Sequence, residues 1–252
     1  MITKQKSIIK QFLVIFILIT VPASLSFAQQ SESQLSQGNL KITVQYKLVK
    51  ADLLTDDNIN VNISNNSIIL TGTVPTLFDR NEAERIARSV DENYEVVNRI
   101  SVGNKTVEDS ILTREINSKI HSNIFYGVFD WLTVQSDNGM VTLGGWVHLP
   151  WLKHQFQSEV EKIPGVMSLV NKIQVTFGPG ELGYRAARLI YNDPMFWGQQ
   201  YSPDPPIHII VNNGSIYLMG DVSTSVDKSW AENILTFQTD AVSVENDLKV
   251  LN

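Results

Sequence analysis

The side chains that could do chemistry are few and poorly spaced for it. The four histidines are His121, His148, His154 and His208, and six residues separate His148 from His154, which takes them off a common helical face. No zinc-helix spacing results. The chain holds no cysteine, which excludes thiolate metal sites, cysteine nucleophiles, disulfides, iron–sulfur clusters and a lipoprotein anchor. It carries no Gly-x-Ser-x-Gly elbow, no P-loop and no dinucleotide glycine fingerprint. Acidic residues such as Glu82 and Glu84 scatter over what should be solvated helix faces. The expectation is a protein with no catalytic residue, no metal ligand and no cofactor.

The aromatic residues say more. Residues 104–177 hold Phe125, Tyr126, Phe129, Trp131, Trp146, Trp151, Phe156 and Phe177, and Phe196-Trp197-Gly198 echoes Phe125-Tyr126-Gly127 further on. Such rings serve either as core and domain–domain packing or as a wedge entering the interfacial layer of a bilayer, where amphipathic rings are favoured. Phe125, Tyr126, Phe129, Trp151, Phe196 and Trp197, with Lys153, are the candidate lipid or partner contacts. Trp151, just after Pro150 and one residue outside an apolar stripe, is the best single candidate for an exposed anchor. Lipid binding predicts exposed aromatics beside Lys153 or Lys119; a scaffold predicts aromatics buried between domains.

The elements that must position these residues are written three times. Ile68-Ile-Leu-Thr-Gly72-Thr-Val74, Val141-Thr-Leu-Gly-Gly145-Trp-Val147 and Ile216-Tyr-Leu-Met-Gly220-Asp-Val222 share apolar positions around a glycine. Each glycine is followed 26 residues later by an asparagine, Asn98, Asn171 and Asn246, flanked by alternating apolar residues. Six residues before each glycine stand Asn66, Gly139 and Gly214, which accept positive φ. Period-two alternation around that turn predicts a hairpin, and a change to period 3.6 after it predicts an amphipathic helix. A helix also precedes the hairpin: Leu112, Ile116 and Ile120 lie one turn apart, with Thr106 and Asp109 placed as a capping box. Each unit therefore reads α-β-β-α-β. The predicted fold is α+β, with three tandem small domains, each a three-stranded mixed sheet with two helices on one face. For Gly72, Gly145 and Gly220 the default is close helix–sheet approach or a bulge, and for the three asparagines an amide that bonds loop backbone.

Residues 1–28 have the parts of an export signal: Lys4, Lys6 and Lys10, then the apolar run from Phe12 to Val21, then Ser26-Phe27-Ala28. The rival reading is an uncleaved anchor from Ile8 to Phe27. Removing the signal leaves 17 basic against 26 acidic residues, a net charge of −9, which opposes a role in gripping nucleic acid. By segment the net charge is −2 over 41–103, −1 over 104–177 and −5 over 178–252. The second segment, least acidic and most aromatic, is where a membrane contact is expected. The 43% hydrophobic and 18% charged content excludes a disordered or collagen-like chain.

The order of helix, hairpin with an apolar-x-Leu-x-Gly-x-Val strand, helix and Val-x-Asn-x-apolar-x-Val strand resembles the BON domain family of OsmY-type proteins. Three copies would cover nearly the whole chain: a signal at 1–28, a linker at 29–39, and domains at 40–103, 107–177 and 181–252. The chain departs from the pattern in Asn-Asn-Ser at its first hairpin turn and in the insertion Tyr201-Ser-Pro-Asp-Pro-Pro206. The helix expected over 184–191 also reads as short. The resemblance implies a non-enzymatic periplasmic protein, peripheral on a membrane, that binds phospholipid and supports envelope maintenance or osmotic-stress protection. The alternative is a scaffold or adaptor for other envelope proteins. Neither reading involves nucleic acid.

Overall fold

The alternation around each glycine becomes a hairpin closed by a two-residue turn. In the computed structural model, which describes residues 23–54, 58–103, 107–202 and 204–251, Asn65-Asn66, Asn138-Gly139 and Asn213-Gly214 all have positive φ. Asparagine and glycine tolerate that conformation, and it matches the twist of the flanking strands. The hairpins are β1 (Ile59–Ser64) with β2 (Ser67–Val74), β4 (Trp131–Asp137) with β5 (Met140–Val147), and β8 (Ile207–Asn212) with β9 (Ser215–Val222).

A helix crosses over from each hairpin: α2 (Leu77–Arg88), α4 (Pro150–Glu161) and α6 (Ser225–Gln238). The strand that follows pairs parallel with the second hairpin strand. It is continuous as β3 (Glu95–Val102), but split into β6 (Ser168–Asn171) and β7 (Gln174–Val175), and into β10 (Val244–Asn246) and β11 (Lys249–Val250). Each sheet is mixed as expected, with the second hairpin strand in the centre. Helices α1 (Ala23–Lys50), α3 (Asp109–His121) and α5 (Gly180–Tyr191) precede the hairpins. Three apolar clusters form, centred on Val44 and Leu48, on Ile116 and Phe156, and on Ile190 and Leu218, and Leu77 and Val102 of the first repeat join the second.

Several expectations need correction. Residues 29–39 are not a linker but lie inside α1, because Gln, Ser, Glu and Leu are compatible with helix and the segment contains no proline. The expected signal falls largely outside the described residues, and 23–28 form the start of α1. The anchor reading from Ile8 likewise rests mostly on residues outside them. No described helix is long and apolar enough to cross a membrane. Helix α5 is twelve residues long, so the third repeat has no shortened first helix.

The capping box expected at the start of α3 falls partly outside the described residues. Thr106 lies outside the described residues, and Glu108 is the N-cap without a side-chain bond. Asp109 instead accepts from the N–H groups of Asn138 and Gly139 at 2.8 and 3.1 Å, tying the helix to the hairpin turn. Capping boxes occur on the crossover helices, Thr76 with Asp79 on α2 and Thr224 with Asp227 on α6.

Candidate functional site

The aromatic segment between α3 and β4 is folded by two tight turns. Asn123 accepts from Phe125 N at 2.9 Å, Tyr126 N donates to Asn123 O at 3.0 Å, and Asp130 N donates to Gly127 O at 3.0 Å. Asp130 is fully buried. Its carboxylate accepts from Gly127 N at 3.2 Å and His148 N at 2.9 Å, and lies 2.8 Å from His148 Nδ1. A buried carboxyl group needs such partners. The loop is thereby fastened to the end of β5, and successive aromatic residues point opposite ways.

Tyr126 points in. It is buried, stacked on His121 at 5.2 Å and set edge-on to Phe156 at 6.1 Å. Burial pushes its phenol well above the ordinary range, so it stays protonated. Its other neighbour belongs to the third repeat: the ring of His208 is 5.4 Å away. Burial leaves Tyr126, a candidate lipid or partner contact, no surface to offer a lipid, and the same holds for Phe196, which is buried in the core of the third repeat. Both rings are large apolar bodies within reach of a core, and burial is their ordinary fate.

The second and third repeats meet across this joint. His208 Nδ1 lies 3.0 Å from Gly127 O, and Ile209 N donates to Val128 O at 2.7 Å, so the loop covers the edge of β8. Trp131 lies 5.1 Å from His208, and Trp146 stacks on Tyr217 at 6.0 Å, joining the two sheets through their helix-free sides. Phe129, half-buried, sets its edge against Tyr184 on α5 at 5.4 Å. Asp204, from the Pro-rich insertion, faces His208 Nε2 at 3.7 Å and His121 Nδ1 at 3.5 Å. Those two imidazoles, His208 first, hold its carboxyl below the ordinary value.

The remaining candidates stay outside. Phe125 is 47% exposed and Trp151 43%, and the two rings form an edge-to-face pair at 4.9 Å. Ile124 beside them is 88% exposed. Sequence reasoning missed Ile124. Lys153 is half-buried on α4, while Lys119 is exposed on the last turn of α3, which leads into this tip. Trp197 is 70% exposed.

The repeated glycines and asparagines are structural. A Cβ on Gly72, Gly145 or Gly220 would stand 2.0, 2.0 or 2.3 Å from the carbonyl oxygen of Asn58, Trp131 or Pro206. The close approach is to backbone at the start of the first hairpin strand, and not to a helix, the alternative expected beside a bulge. The asparagines lie within or at the end of the third strand. Each amide donates to a carbonyl of the crossover helix, Arg80, Lys153 or Lys228, at 2.9–3.1 Å. It donates also to a helix side chain, Glu84, Gln157 or Glu232. Among the described residues no group of His, Asp and Glu could hold a metal ion.

Three mixed sheets of identical topology, each with a crossover helix, define a tandem α+β repeat protein. The model of the BON domain matches residues 36–104, 108–176 and 198–252. The chain belongs to the BON domain family. The third match begins after α5 and so does not include that helix. An Anaplasma centrale protein, described as an uncharacterized protein in the gshII 5' region, is 32% identical over 120 residues, covering 46% of this chain and 76% of its own. The C-terminal domain of CdsD, a structural protein of the type III secretion system of Chlamydia trachomatis, aligns over 84% of this chain and 98% of its own. Its identity is 14% and the TM-score 0.27. The PrgH periplasmic domain aligns over 80% and 100%, at 8% identity and a TM-score of 0.20.

Proposed function

We propose that this is a non-enzymatic envelope protein, exported to the periplasm by a cleavable signal at residues 1–28. It meets a phospholipid surface through the tip formed by Ile124, Phe125 and Trp151 and so supports envelope integrity. BON domains are in general membrane- or phospholipid-binding modules of envelope proteins, and the family is typically non-enzymatic. The observation that carries the reading is the Phe125–Trp151 pair, packed edge to face yet open to solvent, with Ile124 beside it. Rings held in this way enter an interfacial layer with little loss of conformational freedom. Lys119 and the half-buried Lys153 supply positive charge for lipid phosphates.

Co-sedimentation with vesicles of anionic phospholipid tests it. The wild type should pellet with the vesicles, and the double variant Phe125→Ala, Trp151→Ala should stay in solution. A wild type that never pellets, or a double variant that pellets equally, would refute the lipid role. The second reading, a scaffold, draws on the packing of Tyr126, Phe129 and Trp131 against the third repeat. On that reading the docked pair of repeats is a rigid platform for other envelope proteins.

A further inference from the structure

An amphipathic surface helix needs one apolar stripe, and two helices of this chain have a second. On α1 the inner stripe, Val44 and Leu48, is buried in the first core. Ile42, Tyr46 and Val49, at i, i+4 and i+7, form another apolar stripe, and all three are exposed. On α6 the inner stripe is Ala231, Ile234 and Leu235. Val226, Trp230 and Phe237, at i, i+4 and i+11, form an outer stripe, and Phe237 is 82% exposed.

The other repeats do not carry these stripes whole. Counted from the shared glycines, Trp230 corresponds to Glu82 and Gln155, and Phe237 to Ser89 and Lys162. Aligned on the buried pairs Val44/Leu48 and Ile116/Ile120, the outer residues of α1 correspond to Arg114, Ser118 and His121 of α3. Polar residues thus stand at most of these positions, although Phe78 and Trp151 take the place of Val226, and Tyr184 of α5 that of Ile42.

The two stripes also differ in charge. Residues 36–50 carry Lys41, Lys47 and Lys50 and no acidic residue, with Lys50 Nζ 5.4 Å from the Tyr46 ring centre. Residues 178–252 have a net charge of −5, and the Trp230 indole donates to Asp193 Oδ2 at 3.1 Å, placing a carboxylate at the stripe. On α6 itself Asp227 and Glu232 outnumber the single basic residue, Lys228.

We propose that copies of this chain associate head to tail, the α1 stripe of one molecule seating on the α6 stripe of the next. A basic apolar stripe and an acidic apolar stripe on one chain are each other's complement, and each would be repelled by its own kind. The contact is heterologous, so it leaves one free stripe at each end and growth continues past the dimer. It uses neither the Phe125–Trp151 tip nor any lipid, and is independent of the membrane reading.

Analytical ultracentrifugation of the full chain without lipid tests it, with Tyr46→Glu and Trp230→Glu as variants. Glu82 already occupies the place of Trp230 in the first repeat, and both sites are exposed, so folding should survive. Circular dichroism and the unfolding midpoint check that it does. The wild type should grow beyond a dimer as concentration rises, more weakly at high salt. Each variant alone should associate more than about tenfold more weakly. An equimolar mixture of the two should form a dimer and nothing larger, since one intact stripe remains on each partner. A wild type monomeric at all concentrations overturns the proposal. So does either variant still self-associating like the wild type, or a mixture that stays monomeric. Should either variant misfold, Phe237→Ser replaces Trp230→Glu and Val49→Ser replaces Tyr46→Glu, with the same outcomes.

Discussion

His208 of the third repeat lies 5.4 Å from Tyr126 of the second, ring centre to ring centre, and its Nδ1 lies 3.0 Å from Gly127 O. A carbonyl oxygen only accepts, so Nδ1 carries the proton in this contact. One ring nitrogen of a fully buried histidine of one repeat is thus satisfied by the backbone of another, which makes the two cores mechanically dependent.

His208→Ala should cost about 2–4 kcal/mol, from lost packing and an unpaired carbonyl. The more telling outcome concerns cooperativity. Calorimetry of the wild type should show the second and third repeats melting together, and the variant should melt in two resolved steps. Equal cooperativity in both proteins would mean that the joint does not couple the repeats.

Asp204 should make the joint sensitive to acid. Its carboxyl is held below the ordinary 3.8 by His208 and His121, which face it, while Tyr126 and the buried Asp130 stand nearby. A depressed carboxyl stabilises the fold fully above its unfolded value and loses that contribution as pH falls through its lowered folded value. Glu82 and Glu84 of the first repeat are lowered too, so the informative quantity is the difference between wild type and Asp204→Asn. That difference should favour the wild type near neutrality and shrink toward zero in strong acid. A difference independent of pH would sever Asp204 from the histidines.

The repeats were legible because their periods are local: alternation gives a strand, a 3.6 period gives a helix, and Asn-Gly gives a turn. The joint was not, since the His208–Gly127 contact links residues 81 apart in sequence. One signal did point to it. Strands β1 and β4 alternate as Ile-Asn-Val-Asn-Ile and Trp-Leu-Thr-Val-Gln, whereas β8 opens Ile-His-Ile-Ile-Val. A run without alternation, apolar but for His208, marks a strand buried on both faces, as residues 207–210 are. Tyr126 and Phe125 are neighbours of similar chemistry, and only the turn set by Asn123 and Asp130 decides which points inward.

Asn171 separates a structural role from a ligand-binding one. Its amide donates to Lys153 O and Gln157 Oε1, both at 3.1 Å, and its Oδ1 accepts from Ile173 N at 3.1 Å. Asn171→Ala removes all three bonds, two of which tie the third strand to the crossover helix. A loss of about 1–3 kcal/mol is expected in urea unfolding. Vesicle binding measured well below the unfolding midpoint should be unchanged; loss of binding at full stability would give the asparagine a ligand role.

Gly145 and Gly38 make a controlled pair. At Gly145, φ is +97° and a Cβ would stand 2.0 Å from Trp131 O, so alanine there brings strain and a clash with the neighbouring strand. The hairpin can relieve the clash only by parting β4 from β5 at the end that carries Trp131 and Trp146, and those rings form the joint. Gly145→Ala should therefore cost at least about 3 kcal/mol and weaken the coupling between repeats as well. Gly38 lies within α1, where an added Cβ would meet nothing within 4 Å, and alanine should raise stability by about 0.5–1 kcal/mol. Urea denaturation of both variants checks the pair. If Gly145→Ala proves as harmless as Gly38→Ala, the glycine is not held by its contact with Trp131, and the threefold recurrence of Gly72, Gly145 and Gly220 needs a different physical cause.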